Sequence, residues 1–108
     1  ASEAIGYFGR EALPQLHSLL QEGKDDARCI AAWNLGELAE RASAPVLLQT
    51  LKADSSEEVQ ALAIWALGQI GEYSDELLQV LCDASKNANP EIRLRAEVAL
   101  KRIARHIN

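Results

Sequence analysis

The chain has 108 residues and a formal net charge of −5, and 48% of its residues are hydrophobic while 25% are charged. This length suits one domain with a modest core, and the composition is ordinary for a globular protein. The negative charge makes a dedicated nucleic-acid binder an unlikely class, and no apolar run approaches the roughly 20 residues that cross a bilayer.

Apolar spacing predicts helices throughout the chain and no strand. In chain order, we place helices near residues 2–8, 12–22, 26–40, 44–53, 56–70, 75–86 and 90–107. The fifth of these has the clearest pattern, in which the apolar positions of a single helix face are Val59, Leu62, Ala63, Ala66, Leu67 and Ile70. The sequence therefore predicts an all-α fold.

Capping residues mark several helix boundaries. The predicted N-caps are Asp25, Ser55, Ser74 and Asn89. Ser55 with Glu58 fits a capping box, and Pro90 after Asn89 occupies the first helical position, which proline favours. Gly23 and Gly71 are placed where helices are expected to stop.

The chain repeats itself with a period of about 32 residues. The segment AAWNLGELA at 31–39 returns as AIWALGQIG at 63–71. A period of this size indicates stacked helix pairs, so the predicted architecture is an α-α superhelix, or solenoid, of antiparallel pairs. We divide the domain into a partial unit 1–24, units 25–55 and 56–88, and a terminal helix 89–108. The chain begins partway through a unit and without methionine, which is compatible with truncation or processing of a longer protein.

The repeated segment carries a family resemblance. Residues 25–39 read Asp-x-x-Arg-x-x-Ala-Ala-x-x-Leu-Gly-x-Leu-Ala, and residues 57–71 match this pattern with Gln60 in place of the arginine. This string resembles the HEAT-like repeat of the phycobilisome-lyase type. The resemblance implies a stack of helix pairs in which the first helix lies outside and the second lines a concave side. It also leaves open membership in a tetrapyrrole (bilin) lyase complex, since this repeat occurs in lyase subunits as well as in scaffolds.

Carried over to this sequence, the resemblance predicts a concave binding strip on the second helices. Its residues are Gln15, Ser18, Val46, Gln49, Asp75, Glu76 and Gln79. The strip is rich in amides, mildly acidic and almost free of cations, which favours a protein or peptide partner over a phosphate backbone. An ordinary solvated helix face explains the same residues. The predicted function is a non-catalytic protein-protein interaction module or scaffold.

Two other features bear on partners. Trp33 and Trp65 are one repeat apart, and they are interpreted either as packing between units or as an exposed aromatic edge that binds a partner. Residues 89–108 carry a net charge of +3, against −8 for the other 88 residues. This basic end suits a solvated helix with the i,i+4 pairs Glu91–Arg95 and Glu97–Lys101, or alternatively contact with nucleic acid. Open ends of the stack also predict end-to-end self-association.

No catalytic, cofactor-binding or metal site is predicted. His17 falls on the apolar face of its helix, and neither it nor His106 has a metal-ligand spacing. Cys29 is predicted to be a small buried core residue, and Cys82 to be partly exposed. Their spacing fits neither a disulfide framework nor a metal motif, so we expect an intracellular, cytoplasmic protein without a cofactor.

Overall fold

The structure, a computed structural model, describes the backbone of residues 11–107 and the side chains of residues 11–105. Its helices are α1 (Leu13–Glu22), α2 (Asp25–Leu38), a 3-10 turn (Arg41–Ser43), α3 (Ala44–Ala53), α4 (Glu57–Ile70), α5 (Asp75–Ala84) and α6 (Pro90–Ile107). No strand occurs between residues 11 and 107, which confirms the all-α prediction. The helix predicted near 2–8 lies outside the described residues.

The helices form two layers. The backbones of α2, α4 and α6 approach one another closely along their length, whereas those of α1, α3 and α5 meet at few points or none. Close approach is possible because small side chains fill the contacts, as Ala31, Ala63 and Ala96 are fully buried. Small residues at these aligned positions therefore let neighbouring helices lie close together. A stack whose helices are closer in one layer curves toward that layer, so α2, α4 and α6 form the concave side.

The core lies between the two layers. Each layer contributes large apolar side chains that are almost fully buried, and these include Leu20, Leu35, Leu47, Ile64, Leu67, Leu81, Ile92 and Ile103. Consecutive helices pack as α1 with α2, α3 with α4 and α5 with α6. The division at 24/25, 55/56 and 88/89 stays a prediction, because a stack with this period can be divided before either helix of a pair.

Two of the four predicted N-caps are confirmed. Ser74 Oγ accepts the Leu77 N–H at 3.1 Å, and Asn89 Oδ1 accepts the Glu91 N–H at 2.8 Å. The Ser55 prediction is wrong by one residue. Asp54 accepts the Ser56 N–H at 2.9 Å, which moves the helix start along the chain, and Ser56 Oγ caps α4 instead.

The Asp25 prediction is also wrong. Asp25 is the first residue of α2, and the N-cap position belongs to Lys24, which makes no side-chain capping bond. The Asp25 carboxylate is engaged elsewhere, since it accepts a hydrogen bond from Arg28 Nη2 at 2.5 Å. Gly71 ends α4 in the left-handed conformation with φ of 75°, as predicted for a helix stop.

Equivalent polar side chains fix the turns that precede α2, α4 and α6. Each donates to a backbone carbonyl of its own turn: Arg28 to Gly23 at 2.8 Å, Gln60 to Asp54 at 2.6 Å, and Arg93 to Asn87 at 2.9 Å. Arg28 also forms a bidentate pair with Asp54, at 2.7 and 3.1 Å, which ties α2 to the end of α3. Asp54 chiefly, through this hydrogen bond, raises the pKa of Arg28. Glutamine at residue 60 therefore keeps the bond to the turn and gives up the ion pair.

Candidate functional site

The concave layer carries most of the exposed large hydrophobic side chains among the described residues. Among the large hydrophobic side chains described, four of the six that are exposed lie on α2 or α6: Ile30 (60% exposed), Trp33 (48%), Leu94 (57%) and Val98 (47%). Half-buried Trp65 on α4 lies between them. We call these five residues the tryptophan face. A large apolar side chain in water is common singly, but several on one surface indicate an interaction site.

The two tryptophans of this face stack on each other. Their ring centroids are 4.6 Å apart and their planes differ by 9°. The Trp65 ring also lies across the backbone of α2 at Gly36, where a side chain would collide with it. Trp65 is thus fixed by packing between neighbouring helices, while about half of Trp33 stays open to solvent.

A shallow groove continues the tryptophan face between α4 and α6. It has a volume of about 340 Å³, and its lining includes Trp65, Gly68, Leu94, Val98, Ala99 and Arg102. The groove exists because Val98 occupies, on α6, the place that a tryptophan occupies on α2 and α4. The smaller side chain leaves space beside the Trp65 ring.

The charged side chains around the tryptophan face differ in sign between helices α6 and α2. On α6, Lys101, Arg102 and Arg105 are exposed, and no described carboxylate lies within ion-pair distance of them. Arg102 donates to Gln69 Oε1 of α4. The predicted Glu91–Arg95 pair is present at 2.8 Å, whereas the predicted Glu97–Lys101 pair is not formed.

The opposite edge of the face is acidic. Asp26 and Glu37 are exposed on α2, four residues before Ile30 and four residues after Trp33, so they share its outward surface. Neither makes an ion pair among the described residues. Exposed Glu97 also lies on α6, but the five Arg and Lys residues of that helix outnumber its two Glu residues, so the surface runs from acidic on α2, through apolar in the middle, to net basic on α6.

Comparison with known protein families identifies the family to which this chain belongs. The family model for HEAT repeats matches residues 13–101, which include helices α1 to α5 and most of α6. The chain belongs to the HEAT-repeat family. A search of the curated proteins finds no match for this HEAT-repeat protein.

The predicted binding strip of this HEAT-repeat protein lies on the other layer. Gln15 and Ser18 are on α1, Val46 and Gln49 are on α3, and α5 carries the rest: Asp75, Glu76 and Gln79. The prediction that they line the concave side is wrong, because α1, α3 and α5 are the widely spaced helices and form the convex side. All seven are exposed except Val46, which is half-buried, and their part in binding stays a prediction.

The convex helices leave grooves between them that use some of these residues. One groove between α1 and α3 is lined by Val46 and Gln49 together with Thr50. A second, between α3 and α5, is lined by Gln49 and Glu76. The second groove also includes exposed Tyr73 and Pro45 and is therefore partly apolar, but neither groove contains stacked indoles like those of the tryptophan face.

Sequence reasoning singled out Trp33 and Trp65 but missed Ile30, Leu94 and Val98. Two patterns indicated Ile30 and Val98, whereas none indicated Leu94. Ile30 lies three residues before Trp33 on the same helix face, and Val98 is the aligned residue of Trp65 one unit later.

The structure shows the surroundings of the histidine and the two cysteines for which no catalytic or metal-binding role is predicted. His17 Nε2 lies 3.0 Å from Ser43 Oγ, and Ser43 is fully buried, so the imidazole satisfies a buried hydroxyl. Cys29 is half-buried rather than fully buried, and burial raises the pKa of its thiol, assisted by the negative charge of Glu58. Cys82 is exposed. Among the residues described, no three His, Cys, Asp or Glu side chains cluster as metal ligands.

None of the described helices has both the length and the apolar character that crossing a bilayer requires.

Proposed function

We propose that this HEAT-repeat protein is a non-catalytic interaction module that binds a protein or peptide partner on the tryptophan face. The observation that carries the proposal is the concentration of exposed Ile30, Trp33, Leu94 and Val98 on the concave layer. Tryptophan is enriched at the centres of protein interfaces, because its large rigid ring gains much from burial at low entropic cost.

The rigidity of the face supports the same proposal. Stacking on Trp65 and the packing of Trp65 over Gly36 hold Trp33 in place before any partner arrives. A preorganised anchor loses little conformational freedom on binding, so more of the interaction energy appears as affinity. The family membership adds weight, since HEAT repeats commonly mediate protein-protein interaction.

The bilin-lyase alternative rests on the resemblance of residues 25–39 to repeats of the phycobilisome-lyase type, and no feature of the tryptophan face favours it. Addition of a free bilin tests it, because a complex would change the visible absorption spectrum of the pigment. End-to-end self-association and a cytoplasmic location remain expectations. Sedimentation at several concentrations measures the first, and cell fractionation of the source measures the second.

The test is affinity capture from the source cells with three forms of the protein. The first is the wild type. The second, Ile30→Gln/Val98→Gln, removes apolar surface on the concave side and leaves the tryptophan stack intact. The third, Leu19→Gln/Tyr73→Gln, removes the two exposed hydrophobic side chains that lie off the tryptophan face, so it is a matched control.

We expect a partner that the wild type and the control recover and that the concave variant loses. Equal recovery by all three forms contradicts the proposal. A fourth form, Gln49→Arg/Gln79→Arg, tests the convex strip. Loss of the partner from this form alone transfers the binding site to the convex side and overturns the proposal.

A further inference from the structure

We infer that the partner of the tryptophan face is an acidic-apolar peptide segment, whose apolar side chains lie along Trp33, Trp65 and Val98 and whose carboxylates lie at the cations of α6 beyond Val98. This inference rests on the proposed function and adds the chemistry and direction of the bound segment. It depends on three observations: the apolar row, three cations without a described acidic partner at one end of it, and the acidic residues at the other.

The apolar row fixes where the anchors of the segment bind. Trp33, Trp65 and Val98 are aligned on adjacent helices, so they form a line across the layer. Helices packed at 8–10 Å place the ends of that line roughly 16–20 Å apart. About 11–13 residues of helix, or about five to six residues of extended chain, span this distance.

The cations on α6 fix the charge at one end of the segment. Val98, Lys101, Arg102 and Arg105 line one shallow groove, which joins the apolar row to the three cations. No described carboxylate neutralises them, unlike Arg28, Arg41, Lys52 and Arg95, which all have acidic partners. Carboxylates of a partner would form charge-assisted bonds to these side chains, and guanidinium groups bind carboxylates in a bidentate manner.

The acidic edge on α2 fixes the direction of the segment. Asp26 and Glu37 would repel carboxylates placed beside Ile30 and Trp33, so the acidic part of the segment is directed to α6. The same edge disfavours a nucleic acid, which carries a phosphate at every nucleotide and would bring negative charge onto α2 as well. Residues 89–108 contain no Phe, Tyr or Trp, so no such side chain alternates with these cations along α6 to stack on successive bases.

The experiment is selection from a displayed library of random 12-residue peptides, with the same panning on three proteins. These are the wild type, Arg102→Glu/Arg105→Glu, and Lys24→Glu/Lys86→Glu. The last variant changes the net charge equally, at two exposed lysines that have no ion pair among the described residues. Circular dichroism establishes that each variant is folded. If Arg102→Glu/Arg105→Glu is unfolded, Arg102→Gln/Arg105→Gln is used in its place.

We expect wild-type selection to enrich peptides in which large apolar residues and Asp or Glu occupy opposite ends, in a constant order. Their affinity should fall roughly tenfold or more in Arg102→Glu/Arg105→Glu and less than about twofold in the lysine control. Selection on the glutamate variant should instead enrich Lys or Arg. The affinity of the wild-type peptides should also fall as salt is raised from 50 to 500 mM, because salt screens exposed charge pairs.

The selected peptides are also tested for binding to Ile30→Gln/Val98→Gln, so that failure of this inference is distinguished from failure of the proposed function. If the selected peptides need Ile30 and Val98 but are not enriched in Asp or Glu, the inference is overturned and the interaction module stays in place. The same holds if peptides selected on all three proteins are equally enriched in Asp or Glu. Selection that yields no peptide dependent on Ile30 and Val98 overturns both. Binding of a fluorescent oligo-dT that Arg102→Glu/Arg105→Glu abolishes, together with no acidic bias among peptides, assigns the cations to nucleic acid and also overturns the inference.

Discussion

Trp65 on α4 occupies the space that any side chain at Gly36 on α2 would need. A Cβ at residue 36 would overlap the indole and would also lie 3.0 Å from the Cα of Ala66, so neither the ring nor the backbone leaves room for it. The equivalent glycine of the next unit, Gly68, has only ordinary contacts, the nearest being 3.4 Å to the Cβ of Ala99. One repeated glycine is therefore required by packing and the other is not.

The first prediction compares alanine at these two positions. Gly36→Ala should lower the free energy of unfolding by about 1–3 kcal/mol, because it forces the Trp65 ring or α4 to move. Gly68→Ala should raise it by about 0.5–1 kcal/mol, because alanine is the better helix former and fits without strain. Urea denaturation of both variants measures the difference, and equal effects would mean that Trp65 is not packed over Gly36.

The second prediction concerns two aligned helix ends. Ala39 and Gly71 both end their helices in the left-handed conformation, with φ of 51° and 75°, although only one of them is glycine. An L-residue in this conformation is strained by about 1–2 kcal/mol. Ala39→Gly should therefore stabilise the protein by about 0.5–1 kcal/mol, and Gly71→Ala should destabilise it by about 1 kcal/mol. Thermal unfolding measures both; a lower melting temperature for Ala39→Gly would contradict the argument.

The third prediction tests the link between Arg28 and Asp54. The Asp54 side chain is 8% exposed, binds Arg28 in a bidentate manner and accepts the Ser56 N–H. Asp54→Ala should cost about 2–4 kcal/mol, since it breaks these bonds and leaves the guanidinium partly buried without its partner. Arg28→Gln should cost less, because glutamine at the equivalent residue 60 still reaches its turn carbonyl.

A double-mutant cycle isolates the coupling between Arg28 and Asp54. We expect a favourable interaction free energy between the two side chains, measured by urea denaturation of the two single variants and the double variant. Additive effects would show that each side chain acts only on its own turn.

The fourth prediction uses the two cysteines. Burial raises the pKa of the Cys29 thiol, with a further contribution from Glu58 and Asp26. Below that pKa, a smaller fraction of this thiol is in the reactive thiolate form than in a cysteine whose pKa is not raised. Cys82 is exposed and should react first with iodoacetamide at pH 8. Single variants Cys29→Ser and Cys82→Ser assign the two rates by mass spectrometry. Faster modification of Cys29 than of Cys82 in the folded protein would contradict the burial on which this ordering depends.

The architecture could be predicted because the repeat is visible when the sequence is aligned with itself. The return of AAWNLGELA as AIWALGQIG required stacked helix pairs, and the small residues at Ala31, Ala63 and Ala96 required close helices. The structure has six helices in two layers between residues 13 and 107, with those alanines fully buried. Ser74 and Asn89 were also predictable, since each is a polar residue just before a periodic apolar run.

The sequence did not correctly predict which of the two helix layers is concave. Periodicity identifies two kinds of helix but not which kind is more closely spaced, and this spacing determines the curvature. The small residues pointed to the answer, because the buried alanines at Ala31, Ala63 and Ala96 all belong to α2, α4 and α6. The position of Ser56 as N-cap was missed for a local reason, since it depends on a bond to Asp54 that a sequence pattern does not reveal.

The stacked pair of Trp33 and Trp65 contains every tryptophan in the chain. The intrinsic ultraviolet emission of the protein thus originates at the proposed binding surface, with one indole half-exposed and the other packed against a helix. Because the two indoles are stacked with their centroids 4.6 Å apart, movement of either ring changes the surroundings of the other. The unlabelled chain can in this way serve as its own optical sensor, since a ligand that covers Trp33 is expected to shift the tryptophan emission by removing the exposed indole from water.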